Sequence, residues 1–342
     1  MRTAIRTIGI ALGVVVVLIA ALAIYIYATA IRPASPVGFQ QITADDPGHR
    51  PISVALWYPT NARPGFVMLG SRGVRVASDG PVMGSDLPLV VFSHGTGGSA
   101  MSHADTALAL AARGFVVAAL THPGDNLRED ADVGKPDWLS NRARHITRVI
   151  DTALGRWKDR AHLDSGKIGV FGFSAGATSA LIAAGGVPDL RRIASHCAER
   201  PEFVCKLTTP AAYRDAAPQP WRKDPRIRAA VIAAPGLGFT FVPDGLANVA
   251  APVQLWSGAA DQTVPYATNA GTIARLLPAR PESHIVPGAT HYAFLMPCGP
   301  IGPPQLCRDE KGFDRAQFHK GFNEAVVAFF RRSLAASAKA GS

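Results

Sequence analysis

Three residues far apart in the chain have the types and settings that nucleophilic catalysis requires: Ser174, Asp261 and His291. Ser174 lies in Gly172-Phe173-Ser174-Ala175-Gly176, a Gly-x-Ser-x-Gly elbow between a β-favouring stretch (167–171) and an Ala-rich stretch (177–184) suited to a closely packed helix. A serine hydroxyl is a weak nucleophile at neutral pH. It needs a base within hydrogen-bond reach, and that base needs a third group to orient it. In elbow enzymes the chain order is Ser, then Asp or Glu, then His, with the partners in loops after late strands. Asp261 follows the apolar run 252–257 and His291 follows 283–286, so both fit. The rivals are worse placed: Asp189, Asp215, Asp224 and Asp244 fall in irregular segments, His284 in a strand and His319 on the last helix.

The tetrahedral intermediate of such a reaction carries an oxyanion, which needs preorganised N–H donors. The backbone N–H of Ala175, at a helix start, is the expected first donor. The loop His94-Gly95-Thr96-Gly97-Gly98, directly after the apolar run 89–92, is the expected source of the second, at Thr96. His94 reads as support for that loop. His122 and Asp125 follow another strand end and either touch substrate or hold a turn. Phe239, Phe241 and Phe294, with Leu295 and Met296, lie near the site loops and are the expected apolar substrate contacts, the alternative being ordinary core. Nothing here calls for a metal or cofactor.

The elements that must position these residues alternate. Apolar runs at 52–58, 89–92, 115–120, 167–171, 227–234, 252–257 and 283–286 are interleaved with helical patterns at 104–112, 146–157, 177–184, 268–277 and 318–330. Alternation implies an α/β fold with a mostly parallel sheet and helices on both faces. Segments 187–226 and 235–251 break the alternation and read as cap or lid insertions in a domain spanning 52–334. Residues 65–88 read mostly as loop, and 335–342 as a frayed tail.

Arg2 and Arg6 precede an uncharged apolar run from Ile8 to about Ile31. It is long enough to cross a bilayer, and Ala28-Thr29-Ala30 also offers a signal-peptidase site. Either way the rest of the chain is exported, because the arginines stay in the cytoplasm. The run's length favours a retained anchor facing the periplasm or cell exterior; cleavage after Ala30 would give a secreted protein. Residues 32–51 read as a linker. Export makes disulfides the natural state of the four cysteines, and local pairing of Cys197 with Cys205 and Cys298 with Cys307 is the simplest of three connectivities.

With 48% hydrophobic residues the chain can build a substantial core. Its net charge of +10 is spread along the sequence, and no nucleic-acid signature accompanies it. The densest basic run, Arg142 to Arg160, reads as a solvated helix face.

Leu56-Trp57-Tyr58-Pro59-Thr60, Phe92-Ser93-His94-Gly95-Thr96-Gly97-Gly98 and the elbow together resemble the α/β-hydrolase fold. They resemble in particular the bacterial predicted dienelactone hydrolases, which are similar to the plasma-type platelet-activating-factor acetylhydrolases. The resemblance runs from about Ile52 to Leu334. It implies a metal-free Ser-Asp-His hydrolase of carboxylic esters, short-chain or lipid-like, with Ser174 as nucleophile, His291 as base and acid, and Asp261 as orienting partner. Two departures matter. True dienelactone hydrolases carry cysteine where Ser174 stands, and Phe173 replaces a histidine found in many relatives. An acyltransferase or peptidase on the same fold, or an inactive membrane-tethered binding protein, are the alternatives. The propeller-like repeats of oligopeptidases are absent.

Overall fold

The computed structural model describes residues 2–69, 72–214, 219–299 and 302–339; Asp215 falls outside them. Their ten strands form one sheet in the order β10-β9-β8-β7-β5-β6-β2-β1-β4-β3. The middle and one end, β5 (Leu87–Ser93), β6 (Val116–Thr121), β7 (Leu163–Phe173), β8 (Ile227–Ala233), β9 (Val253–Gly258) and β10 (Glu282–Val286), pair in parallel. β2 (Ile52–Pro59) runs antiparallel to both β6 and β1 (Val37–Ala44).

The inner parallel strands β5, β6, β8 and β9, and the second half of β7, are mainly apolar because both faces are covered, whereas β10 at the sheet edge is only partly buried. Along β5 the period-two alternation divides the burial. Leu89 and Val91 face the core under helices Trp138–Gly155 and Ala175–Ala183; Val90 and Phe92 face the core under Ala104–Ala111 and Arg315–Lys339. The last of these helices lies so close to the sheet that a Cβ on Gly169 would meet the Phe330 ring at 2.6 Å.

Three expectations fail. Residues 32–51 are not a linker: β1 lies inside the sheet with Val37, Phe39 and Ala44 buried. Its polar Gln40 hid the strand pattern; that side chain is buried and accepts from Trp157 Nε1 at 2.9 Å. Residues 65–88 are not mostly loop. β3 (Gly65–Leu69) and β4 (Arg72–Ser78) form a hairpin that buries Val74 and Val76. The tail beyond 334 continues the final helix to Lys339, and residues 340–342 lie outside the described residues.

The two insertions pack on one another. Asp189 N donates to Thr240 O at 2.9 Å, and the His196 and Phe239 rings stack 3.5 Å apart. Both local disulfides, Cys197–Cys205 and Cys298–Cys307, are present. The N-terminal helix Arg2–Ala28 contains a 23-residue span, Arg6–Ala28, with mean hydropathy 2.9 and none of it buried.

Candidate active site

Ser174 sits at the end of β7 with φ 55° and ψ −122°, a left-handed conformation that costs a non-glycine residue about 1–3 kcal/mol. The turn is this tight because its glycines have no room for a side chain. A Cβ on Gly172 would meet Gly176 O at 2.2 Å, and one on Gly176 would meet Ser93 O at 2.1 Å. The surroundings over-determine the strained residue: Ser174 N donates to Ala233 O on β8, and its carbonyl accepts from Ala177 N and Gly236 N.

Asp261 and His291 come from loops after β9 and β10. Ala259 N donates to Val286 O at 2.9 Å and Ala260 N to Ala289 O at 3.0 Å, tying the two loops together. Asp261 Oδ1 accepts the amides of Thr263 and Val264, both at 2.9 Å. That leaves Oδ2 for His291 Nδ1, 2.8 Å away, and His291 Nε2 lies 3.0 Å from Ser174 Oγ. With the carboxylate ionised, Nδ1–H donates to it and Nε2 is left to accept from the hydroxyl. The structure therefore brings all three sequence-predicted residues into one hydrogen-bonded line.

Gly95, next to Thr96, lies against the nucleophile, since a Cβ there would meet Ser174 Cβ at 3.1 Å, and Ala175 follows Ser174 in the chain; among the described residues neither the Thr96 nor the Ala175 amide donates to a protein acceptor. The loop carrying Thr96 is held from below by a buried ion pair. Asp125 Oδ1 accepts Gly97 N at 2.7 Å, and its Oδ2 accepts Trp138 Nε1 at 2.8 Å and the Arg142 guanidinium. Arg142 also donates to His94 O and, through Nε, to Ser179 Oγ on the elbow helix at 3.2 Å. One side chain thus braces both the Gly-rich loop and the helix that carries Ala175.

This corrects the reading of Arg142 as part of a solvated face, since it is only 1% exposed. The sequence signal was available. Arg142 lies four residues before Ile146, and His145 four before Val149, so both extend the apolar stripe. His122 and Asp125 are likewise buried supports rather than substrate contacts.

A second buried line supports the loop. Ser93 Oγ lies 2.8 Å from His122 Nε2, His122 Nδ1 lies 3.1 Å from His145 Nδ1, and His145 Nε2 lies 3.6 Å from Asp46. His94 Nδ1 donates to Gly95 O at 2.6 Å, and its Nε2 accepts His122 N at 3.0 Å. A single set of neutral tautomers satisfies the four hydrogen bonds and points His145 Nε2–H at Asp46, which is too far for a hydrogen bond. Burial, reinforced by Arg142, pushes His94 down to about 3. Burial, reinforced by Arg144, does the same to His145; burial takes His103 to about 4 and, reinforced by Arg142, holds His122 well below the usual range. In the unfolded chain these histidines titrate near 6.5, so below that pH the unfolded state binds more protons. Their contribution to stability is complete above pH 6.5 and is lost as pH falls towards 3. Denaturant unfolding at pH 7.5 and 5.5 is expected to show a loss that steepens towards about 5 kcal/mol per pH unit, the limit for four such groups. A flat profile over that interval would contradict neutral burial.

Phe239, Phe241 and Phe294 do not wall the cavity next to the Gly-rich loop. All three are buried; Phe294 is 0% exposed and packs edge-on against Phe318 and Phe322. Phe239 stacks on His196 of the other insertion, Phe239 and Phe241 belong to the core on one face of the sheet, and Phe294 belongs to the core on the other. A cavity of about 380 Å³ next to the Gly-rich loop is instead walled by Leu69, Met101, Leu127, Phe173, Leu295 and Met296. Neither insertion contributes to its described walls.

Comparison with known proteins agrees with this architecture. A family model described as platelet-activating factor acetylhydrolase, isoform II, matches residues 66–127, the stretch that holds the Gly-rich loop, His122 and Asp125. A ferulic acid esterase from Streptomyces cinnamoneus superposes with TM-score 0.63 at 22% identity, over 89% of this chain and 92% of that one. A dienelactone hydrolase from Anabaena variabilis aligns with TM-score 0.48 at 19% identity, over 86% of this chain and 98% of that one. No curated protein sequence matches the chain.

Proposed function

We propose that this chain, whose fold is that of the α/β-hydrolases and which resembles their dienelactone hydrolase and platelet-activating-factor acetylhydrolase group, is an exported serine hydrolase of carboxylic esters. The observation that carries the reading is the unbroken line Asp261–His291–Ser174 ending on a serine held in a strained turn. In this reading His291 Nε2 takes the hydroxyl proton as Oγ attacks the ester carbonyl. Asp261 keeps Nε2 free to accept and stabilises the imidazolium that forms. The oxyanion is met by the Thr96 and Ala175 amides, and His291 returns the proton to the departing alcohol. Water then repeats the sequence on the acyl-enzyme. The apolar cavity takes the acyl or alkyl portion. A group with a lipid-ester member fits those walls, and so does a short acyl chain.

The N-terminal apolar helix and the two disulfides support export. We read the helix as a retained anchor and the substrate as a small-molecule or lipid ester reached outside the cytoplasm.

Incubation with a fluorophosphonate is expected to place one adduct on Ser174, located by mass spectrometry, with matching loss of p-nitrophenyl ester turnover. An unlabelled Ser174 in folded protein would return the alternative of an inactive, membrane-tethered binding protein. Added alcohols that capture the acyl group in place of water would favour the acyltransferase.

A further inference from the structure

The end of the membrane helix is clamped to the catalytic domain with no intervening linker. Ile31 N donates to Gly73 O, and Arg75 N donates to Ile31 O, each at 2.9 Å, so Ile31 forms a parallel bridge with Val74 on β4. The Tyr27 ring lies 5.4 Å from Phe66 on β3, and the Arg75 guanidinium sits 4.4 Å over Tyr27. Gly73 admits this approach because a Cβ there would meet Phe66 at 2.5 Å and Ile26 O at 3.2 Å. The hairpin that receives the helix also reaches the active site. Leu69, about 10 Å further along β3 than Phe66, walls the substrate cavity, and Arg72 Nη1 donates to Cys298 O at 2.6 Å.

Around this clamp lies an unneutralised basic collar. Arg32, Pro33 and Ala34 are shared by two grooves, one completed by Arg63 and Arg75, the other by Arg113 and Lys320. Among the described residues none of these five cations pairs with a carboxylate, although other surface arginines such as Arg156, Arg191 and Arg226 do. Two acids line the second groove. Asp105 is committed to His319 and Asn323, which leaves Glu324 against five positive charges. Phe66 and Met68, on one side of β3, are exposed beside the collar, and Tyr25 and Tyr27 are exposed at the helix end. Aromatic side chains at a helix end with basic residues just beyond are the composition of a segment at headgroup depth.

We propose that this collar docks on anionic phospholipid headgroups of the leaflet from which the helix emerges. It thereby seats the catalytic domain on the bilayer at one fixed orientation. The inference rests on the retained-anchor reading and not on the ester-hydrolase reading. Each cation at an anionic surface favours the docked state roughly fivefold, so three together are worth on the order of 100-fold in the docked-to-free ratio.

Hydrogen exchange of the full chain in nanodiscs tests this. Amides in residues 32–35 and 63–67 are expected to exchange more slowly in discs containing phosphatidylglycerol than in discs of phosphatidylcholine alone. The difference is expected to vanish in high salt and in the triple variant Arg32→Gln, Arg63→Gln, Arg113→Gln. That variant should keep wild-type turnover of a water-soluble ester, which separates failure of docking from failure of the hydrolase reading. Equal exchange in the two kinds of disc would overturn the proposal, as would protection that survives the triple substitution. Protection reproduced by inorganic phosphate without lipid would assign the collar to a free anion instead. Mature protein lacking residues 1–30 would remove the premise.

Discussion

Alanine at position 174 is expected to lower kcat for p-nitrophenyl esters by about 10⁵–10⁶-fold, leaving a folded and soluble domain. The size follows from what the side chain alone supplies. Without Oγ the His291–Asp261 pair has no nucleophile to activate, and only substrate binding and the Thr96 and Ala175 amides remain. Glycine at the same position separates strain from chemistry. Ser174 holds φ 55°, which glycine adopts without penalty, so Ser174→Gly should be as inactive as the alanine variant yet more stable than wild type by about 1 kcal/mol. Thermal unfolding and single-turnover assays read the two effects independently. Residual turnover within tenfold of wild type in either variant would exclude Ser174 as the nucleophile.

Loss of the Asp125 carboxylate should be the most damaging change outside the hydrogen-bonded line. Asp125→Ala leaves the Arg142 guanidinium buried with no counter-charge and strips acceptors from Gly97 N and Trp138 Nε1. Removing one partner of a buried pair typically costs about 3–5 kcal/mol. Because Gly97 is next to Thr96, the variant should also lose kcat, with about 10²–10³-fold, the effect of one oxyanion donor, as the ceiling. The double variant Asp125→Leu, Arg142→Met removes both charges. It should recover much of the stability, since no charge is left stranded, but not kcat, since nothing then holds the Gly97 amide. Chemical denaturation with kcat and KM measured separately distinguishes these outcomes. A double variant with full kcat would show that the ion pair stabilises the fold without positioning the loop.

The two variants probe different depths of the molecule, and the sequence shows those depths unequally. The elbow is a local pattern: two glycines two residues either side of centre on a serine, between a strand and a helix. It is legible because the backbone turn itself demands those residue types. Asp261 and His291 are legible because a loop after a buried parallel strand can open at only one edge of the sheet. Strand alternation therefore brings them to the elbow's side in the right order. The α/β architecture, the apolar N-terminal span and the local cysteine pairs are readable for similar reasons, each being set by composition or short spacing.

What the sequence concealed depends on burial of polar groups and on pairing across long separations. Arg142 looks like a surface cation until Asp125, 17 residues away, is seen to neutralise it in the core. Gln40 makes β1 resemble a linker until Trp157, 117 residues away, satisfies its amide. Phe239, Phe241 and Phe294 sit close in sequence to site loops, yet they are buried, because their partners, such as His196 for Phe239 and Phe318 and Phe322 for Phe294, are distant in the chain. The hairpin at 65–78 joins the sheet through pairing of its second strand with β1, and Ile31, just after the N-terminal apolar helix, bridges to the same strand. Local residue types thus determined the turn, the chemistry and the order of its parts. Tertiary structure alone decided which polar groups were buried with partners, and hence what holds the Gly-rich loop and where the N-terminal apolar helix is fastened.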